Sequence, residues 1–110
     1  MAAYAVAHLT DVSMGPDVVA YLEGIDGTLR PYGGRFLIHG GRVERLEGRW
    51  SGDLIVIEFP SLALARQWYA SPAYQAILPL RLRHAKGLAF LVDGVPADHR
   101  ATDVLAPAAG

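Results

Sequence analysis

The sequence predicts one small α+β domain in the order β-α-β-β-α-β, its helices lying on one face of a four-stranded antiparallel sheet. Three observations predict it. Short apolar segments of extended character alternate with segments whose apolar residues recur at helical spacing. Proline and serine punctuate the starts of the helical segments. The chain has 110 residues, one domain's worth, and at 52% hydrophobic against 19% charged it is too apolar for a disordered segment.

Tyr4 to Thr10 is short, extended in character and bounded by Asp11 and Ser13, which makes it the first strand. Gly15-Pro16-Asp17 starts a helix: Pro16 brings the fixed φ of a first helical residue, and Asp17 faces the positive end of the helix dipole. Val18, Leu22, Ile25 and Leu29 form one apolar stripe along it. Pro31 ends the helix, because the residue before a proline avoids the α region, and Gly33-Gly34 turns the chain out. Arg35 to Glu47 then alternates apolar and polar residues around Gly40-Gly41. These glycines form either a tight hairpin turn or a bulge in one long bent strand. The clearer turn at Gly48 to Asp53 favours the bent strand.

Leu54 to Phe59 is the next strand, and its near-continuous apolar run argues that both faces are covered. Pro60-Ser61 stops it and offers a helix cap. Leu62, Ala65 and Tyr69, with Leu64 and Trp68 beside them, face inward, while Arg66 and Gln67 face out. Ser71-Pro72 repeats the cap-and-proline signal for a short helix toward Leu82, which Pro79 is expected to kink or shorten. Leu88 to Val92 is the last strand, closed by Asp93-Gly94. Residues 1–95 therefore make the domain, and residues 96–110, rich in Ala, Pro, Asp and Gly without a period, make a C-terminal tail.

This order is that of a ferredoxin-like domain. Its strands carry more apolar surface than two helices on one face can cover. A bare sheet face is large enough for a standard interface of about 800 Å² per partner, so a sheet-to-sheet homodimer is expected.

Composition narrows the function. The formal net charge is −1 and no run of Lys or Arg exists to neutralise phosphates, so nucleic-acid binding has no electrostatic footing. The densest basic stretch, Arg81, Arg83, His84 and Lys86, reads as a solvated helix end. There are no cysteines, which excludes disulfides, thiolate catalysis and thiolate metal sites and fits a reducing compartment. Met1 to Thr10 lacks the basic and apolar regions of a signal peptide, and the longest aliphatic run, Leu54 to Ile57, is far short of a membrane span. A cytoplasmic protein is expected. No nucleotide-binding or hydrolase motif occurs, and His8, His39, His84 and His99 have no metal-ligand spacing, so no cofactor or metal is expected.

Several stretches carry a family resemblance: Gly33-Gly34-Arg35-Phe36-Leu37-Ile38-His39-Gly40-Gly41, Leu46-Glu47-Gly48-Arg49-Trp50, Ile57-Glu58-Phe59-Pro60-Ser61, Trp68-Tyr69-Ala70-Ser71-Pro72-Ala73-Tyr74-Gln75 and Leu91-Val92-Asp93-Gly94-Val95. In order and spacing they resemble the small bacterial family catalogued as domain of unknown function 1330, over roughly residues 3 to 95. The resemblance implies a ferredoxin-like domain that dimerises as an α/β barrel. Proteins of similar architecture include cofactor-free antibiotic-biosynthesis monooxygenases and muconolactone isomerases, whose pocket lies between helices and sheet. The family itself has no settled activity. Pro31 and Pro79 depart from its helices.

Candidate chemistry comes in four groups. His39, beside two glycines that allow close backbone approach, is a candidate general base or anion ligand, or else a half-exposed strand-end histidine. His8 and Glu58 are polar residues among apolar strand neighbours; on one face they would make a proton-transferring pair, and otherwise Glu58 is a structural carboxylate that caps a helix or pairs with an arginine. Trp68, Tyr69 and Tyr74 form an aromatic cluster that either packs a core or lines a small-molecule pocket. Trp50 reads as a hydrophobic plug at the dimer edge. Arg35 and Arg81 are candidates to orient a carboxylate, against the simpler reading of solvated or salt-bridged side chains. The function expected is binding of a small apolar or aromatic molecule between helices and sheet. A non-catalytic interaction module and a cofactor-independent monooxygenase or isomerase are the alternatives.

Overall fold

In the computed structural model, which describes residues 1–106, the local signals produce their elements close to where they are written. β1 (Ala3–Thr10) leads to α1 (Pro16–Leu29), with Pro16 in its first turn. A short 3₁₀ turn, Arg30–Tyr32, ends on Gly33 at φ 70°, the left-handed cap that glycine adopts at least cost. Gly34 then passes so close to the core that a Cβ there would lie 2.7 Å from the Phe59 ring and 2.9 Å from Leu29. β2 (Arg35–His39) and β3 (Asp53–Phe59) follow. Two helices come next, α2 (Leu62–Ala70) and α3 (Pro72–Leu82), before β4 (Lys86–Asp93).

Ser61 caps α2 by accepting the Leu64 N–H at 3.2 Å. Ser71 joins the two helices with one hydroxyl, which accepts from Tyr74 N at 3.2 Å and donates to the Trp68 carbonyl at 2.7 Å.

All strand pairs are antiparallel in the order β2-β3-β1-β4, the ferredoxin-like arrangement. Register sorts the side chains by face. Ala5 lies opposite Ile57 and Leu91, and Ala7 opposite Ile55 and Ala89, on the face the helices cover. Val6 lies opposite Val56 and Phe90, and His8 opposite Leu54 and Leu88, on the far face. The tightest core sits at one end of the helix face, where Phe59, Leu29, Ala65 and Trp68 are buried.

Several expectations need correction. The long bent strand to Glu47 does not form: β2 stops at His39, where Gly40 takes φ 67° and turns the chain out of the sheet. The irregularity in β2 lies instead at Leu37, between Phe36 and Ile38. Residues 40–52 are an exposed arm; Leu46, 91% exposed, has no partner strand to pack on.

In α1 the buried stripe runs through Tyr21 in place of Leu22. Tyr69 is half-exposed, while Trp68 is the buried aromatic of α2. Pro79 does not shorten α3, which continues to Leu82, and the Arg83 N–H returns to the Pro79 carbonyl at 3.1 Å. Within the chain the far face of the sheet is bare, which the surplus of apolar strand surface implied: Leu88 is 54% and Phe90 48% exposed there. The tail is exposed and the arm returns to the sheet at its end, where Trp50 and Ser51 meet His8; the radius of gyration, 15.6 Å, exceeds the about 13 Å usual for this length. Of the tail, residues 96–106 are exposed with a 3₁₀ turn at Ala101–Leu105; 107–110 lie outside the described residues.

Candidate functional site

Between the helices and the sheet lies a cavity of about 480 Å³, and the reason for it is written in the floor. Ala5, Ala7 and Ala89 occupy the centre of the helix-facing surface, where bulkier residues would close the gap. With only methyl groups there, α1 and α3 cannot reach the sheet at the end where β1 finishes. At the inner end Trp68, Tyr74, Tyr21 and Ile25 are buried. At the mouth the lining residues Met14, His39, Gly40 and Asp53 are exposed. The mouth is fixed by two links from the start of α1 to the end of α3: the Ser13 N–H donates to the His84 carbonyl at 2.7 Å, and His84 Nε2 meets Asp17 Oδ2 at 2.9 Å.

The inner wall is aromatic and rigid. The Trp68 ring lies 4.1 Å from Tyr74 and 5.3 Å from Phe59, centroid to centroid. Its indole N–H donates to Thr28 Oγ1 at 3.0 Å, and Thr28 in turn donates to the Ile25 carbonyl at 2.7 Å, so the ring cannot turn without breaking a buried chain. Tyr69 closes the cluster, 5.5 Å from Tyr74.

The polar groups are few. The Tyr21 and Tyr74 hydroxyls share a hydrogen bond of 2.7 Å. The Arg81 guanidinium lies 5.8 Å from the Tyr21 ring centroid, over its face. Burial, then the neighbouring Tyr74, holds the Tyr21 phenol far above its ordinary value, so it stays protonated. Burial opposes charge on Arg81, but Tyr74 and Tyr21 outweigh it and the guanidinium is held more firmly protonated than usual. On the sheet side, His39 stacks on Phe36 with centroids 4.3 Å apart and planes 13° from parallel. Asp53 sits near it at the rim.

Of the residues selected from sequence, the cavity brings together His39, Trp68, Tyr69, Tyr74 and Arg81. His8, Glu58 and Arg35 lie on the far face, with the sheet between them and the cavity. His8 Nε2 donates to the Ser51 carbonyl at 2.6 Å, and its ring stacks on Trp50 at 4.5 Å. Glu58 pairs with Arg35, Oε1 lying 2.9 Å from Nη2 and 3.0 Å from Nε. His8 and Glu58 do share a face, but Glu58 lies opposite Tyr4, four residues along β1 from His8. That spacing is about 13 Å, far beyond proton-transfer reach.

Sequence reasoning passed over Tyr21, Thr28 and Asp53. Tyr21 carried a usable signal: three residues after Val18 and four before Ile25, it fits the inward stripe better than Leu22 does.

Solved structures with the same fold include the methylated RPA0582 protein, 15% identical with a TM-score of 0.65, the match covering 89% of this chain and 84% of that one. The RPA0582 protein of unknown function from Rhodopseudomonas palustris is 16% identical, also with a TM-score of 0.65, over 86% of this chain and 83% of that one. A NIPSNAP domain protein from Burkholderia xenovorans is 16% identical at a TM-score of 0.48, over 89% and 96%. No curated protein matches. Among the described residues, no helix is long and apolar enough to cross a membrane. The family model described as domain of unknown function (DUF1330) spans residues 2–95, every strand and helix from β1 to β4, and the chain belongs to that family.

Proposed function

We propose that the chain binds a small, mostly apolar or aromatic molecule in the cavity between helices and sheet, and that it does so as a homodimer joined through the far faces of two sheets. The hollow of about 480 Å³ carries the binding half of this reading: its size suits a small ligand, its wall is aromatic, and its few polar groups converge from α1, α3 and the rim. Cores are ordinarily packed without such a space. The far face supports the dimer half, since Val6, Val56, Leu88, Phe90 and Val92 form a contiguous apolar surface that a second copy would remove from water.

The direct test is a titration with 1-aminoanthracene, a neutral probe whose emission shifts to the blue in a dry apolar site. One saturable site per chain is expected, together with a native mass of two chains. Emission rising without saturation would refute the site, and a single-chain mass at high concentration would refute the dimer.

A second reading, a cofactor-independent isomerase or monooxygenase, is favoured by one observation: His39, the candidate base, is on the cavity's rim. There it would take a proton from a bound ligand. His39→Ala would then abolish turnover of a bound ligand while leaving its Kd within about threefold.

A further inference from the structure

We propose that the ligand of the cavity is an organic anion, an aromatic or alicyclic body bearing a carboxylate that Arg81 receives. This rests on the ligand-binding reading above and adds the ligand's charge and orientation. Arg81 projects from the last turn of α3, two turns beyond Tyr74 and on the same side of the helix. Among the described residues no Asp or Glu oxygen lies within 4.0 Å of it, whereas Arg35 on the far face has Glu58. A partly buried guanidinium facing an apolar hollow, with the Tyr21 and Tyr74 phenols as its neighbours and five N–H donors of its own, has donors to spare for a planar two-oxygen acceptor.

The paired phenols add to this. In a hydroxyl-to-hydroxyl bond one proton is used, so whichever tyrosine accepts still has a proton of its own to give. That proton and the Arg81 fork form a donor set on the helix side. Asp53 stands on the sheet side and turns an anionic group away from itself. The charge therefore points toward α3, the apolar body lies along Ala5, Ala7 and Ala89, and the Trp68 face meets its inner edge.

The test uses Trp68 as reporter. The chain has two tryptophans, and Trp50 is stacked on His8 on the far face, so a Trp50→Phe background leaves Trp68 alone. Quenching is titrated with 2-naphthoate and with 2-naphthamide, which match in shape and differ in charge. The expected result is a preference for the naphthoate of about tenfold or more, erased by Arg81→Gln, partly kept by Arg81→Lys, with the naphthamide Kd unchanged in both. Equal affinity for the two probes, or a preference that survives Arg81→Gln, overturns the carboxylate and leaves the cavity standing. If neither probe quenches Trp68, the ligand-binding reading is lost with it.

Discussion

Replacing Ala7 by phenylalanine sets a ring on the floor of the cavity without touching any of its polar groups. The added side chain has a volume of about 100 Å³, and at about 24 cal/mol per Å³ of void removed the filling stabilises by about 2 kcal/mol at best. The hollow holds about 480 Å³, so a single ring does not fill it. Against the gain stand about 1–3 kcal/mol of imperfect fit and the lost rotamer freedom of the new side chain. The net change in unfolding free energy is expected within about 2 kcal/mol of zero, read from urea midpoints at constant slope. Probe binding behaves otherwise. The ring occupies the space between Ile55 and Ala89 that the probe needs, so the affinity for 1-aminoanthracene drops by about tenfold or more. A folded Ala7→Phe protein that binds the probe as tightly as the parent would show that the molecule sits elsewhere, the exposed far face being the alternative, and would refute the argument from the alanine floor.

Three other outcomes follow from the same geometry. Tyr74→Phe leaves the Tyr21 hydroxyl without its partner and costs about 1–3 kcal/mol in urea unfolding, while the double replacement with Tyr21→Phe costs less than the two singles summed. The Tyr21 phenol is raised by burial, so above pH 10 the unfolded chain releases a proton that the folded one keeps. Stability then declines by about 1.4 kcal/mol per pH unit on that account, and Tyr21→Phe makes the alkaline unfolding profile shallower. Leu88→Asp with Val92→Asp places two charges on the far face at positions already half open to water, so the chain stays folded by circular dichroism while its native mass halves.

What the sequence made legible depends on how local the cause is. Pro16, Ser61 and Ser71 act within one helical turn, and each helix starts where they stand. The end of β2 was not readable, because Val43 and Leu46 continue an apolar alternation that has nothing to pack against; alternation describes a face and does not supply the neighbour. Strand parity was readable and register was not, so His8 and Glu58 could be assigned faces but not a separation. The cavity was hidden for another reason: it exists because side-chain volume is missing at Ala5, Ala7 and Ala89, and in a hydrophobic pattern an alanine counts the same as a leucine. Arg81 was visible as a cation, but that no carboxylate among the described residues pairs with it is a property of the assembled fold.

Ser71 has a mechanical consequence. Trp68 belongs to one helix and Tyr74 with Arg81 to the next, and a single residue in extended conformation connects them. The hydroxyl of that one residue is bonded into both helices, and the other end of α3 is tied to the start of α1 through His84, so α3 is braced at both ends. Arg81 stands about 15 Å from the joint along this strut and Tyr74 less than a third of that, so the turns between them set how far the cation sits from the indole.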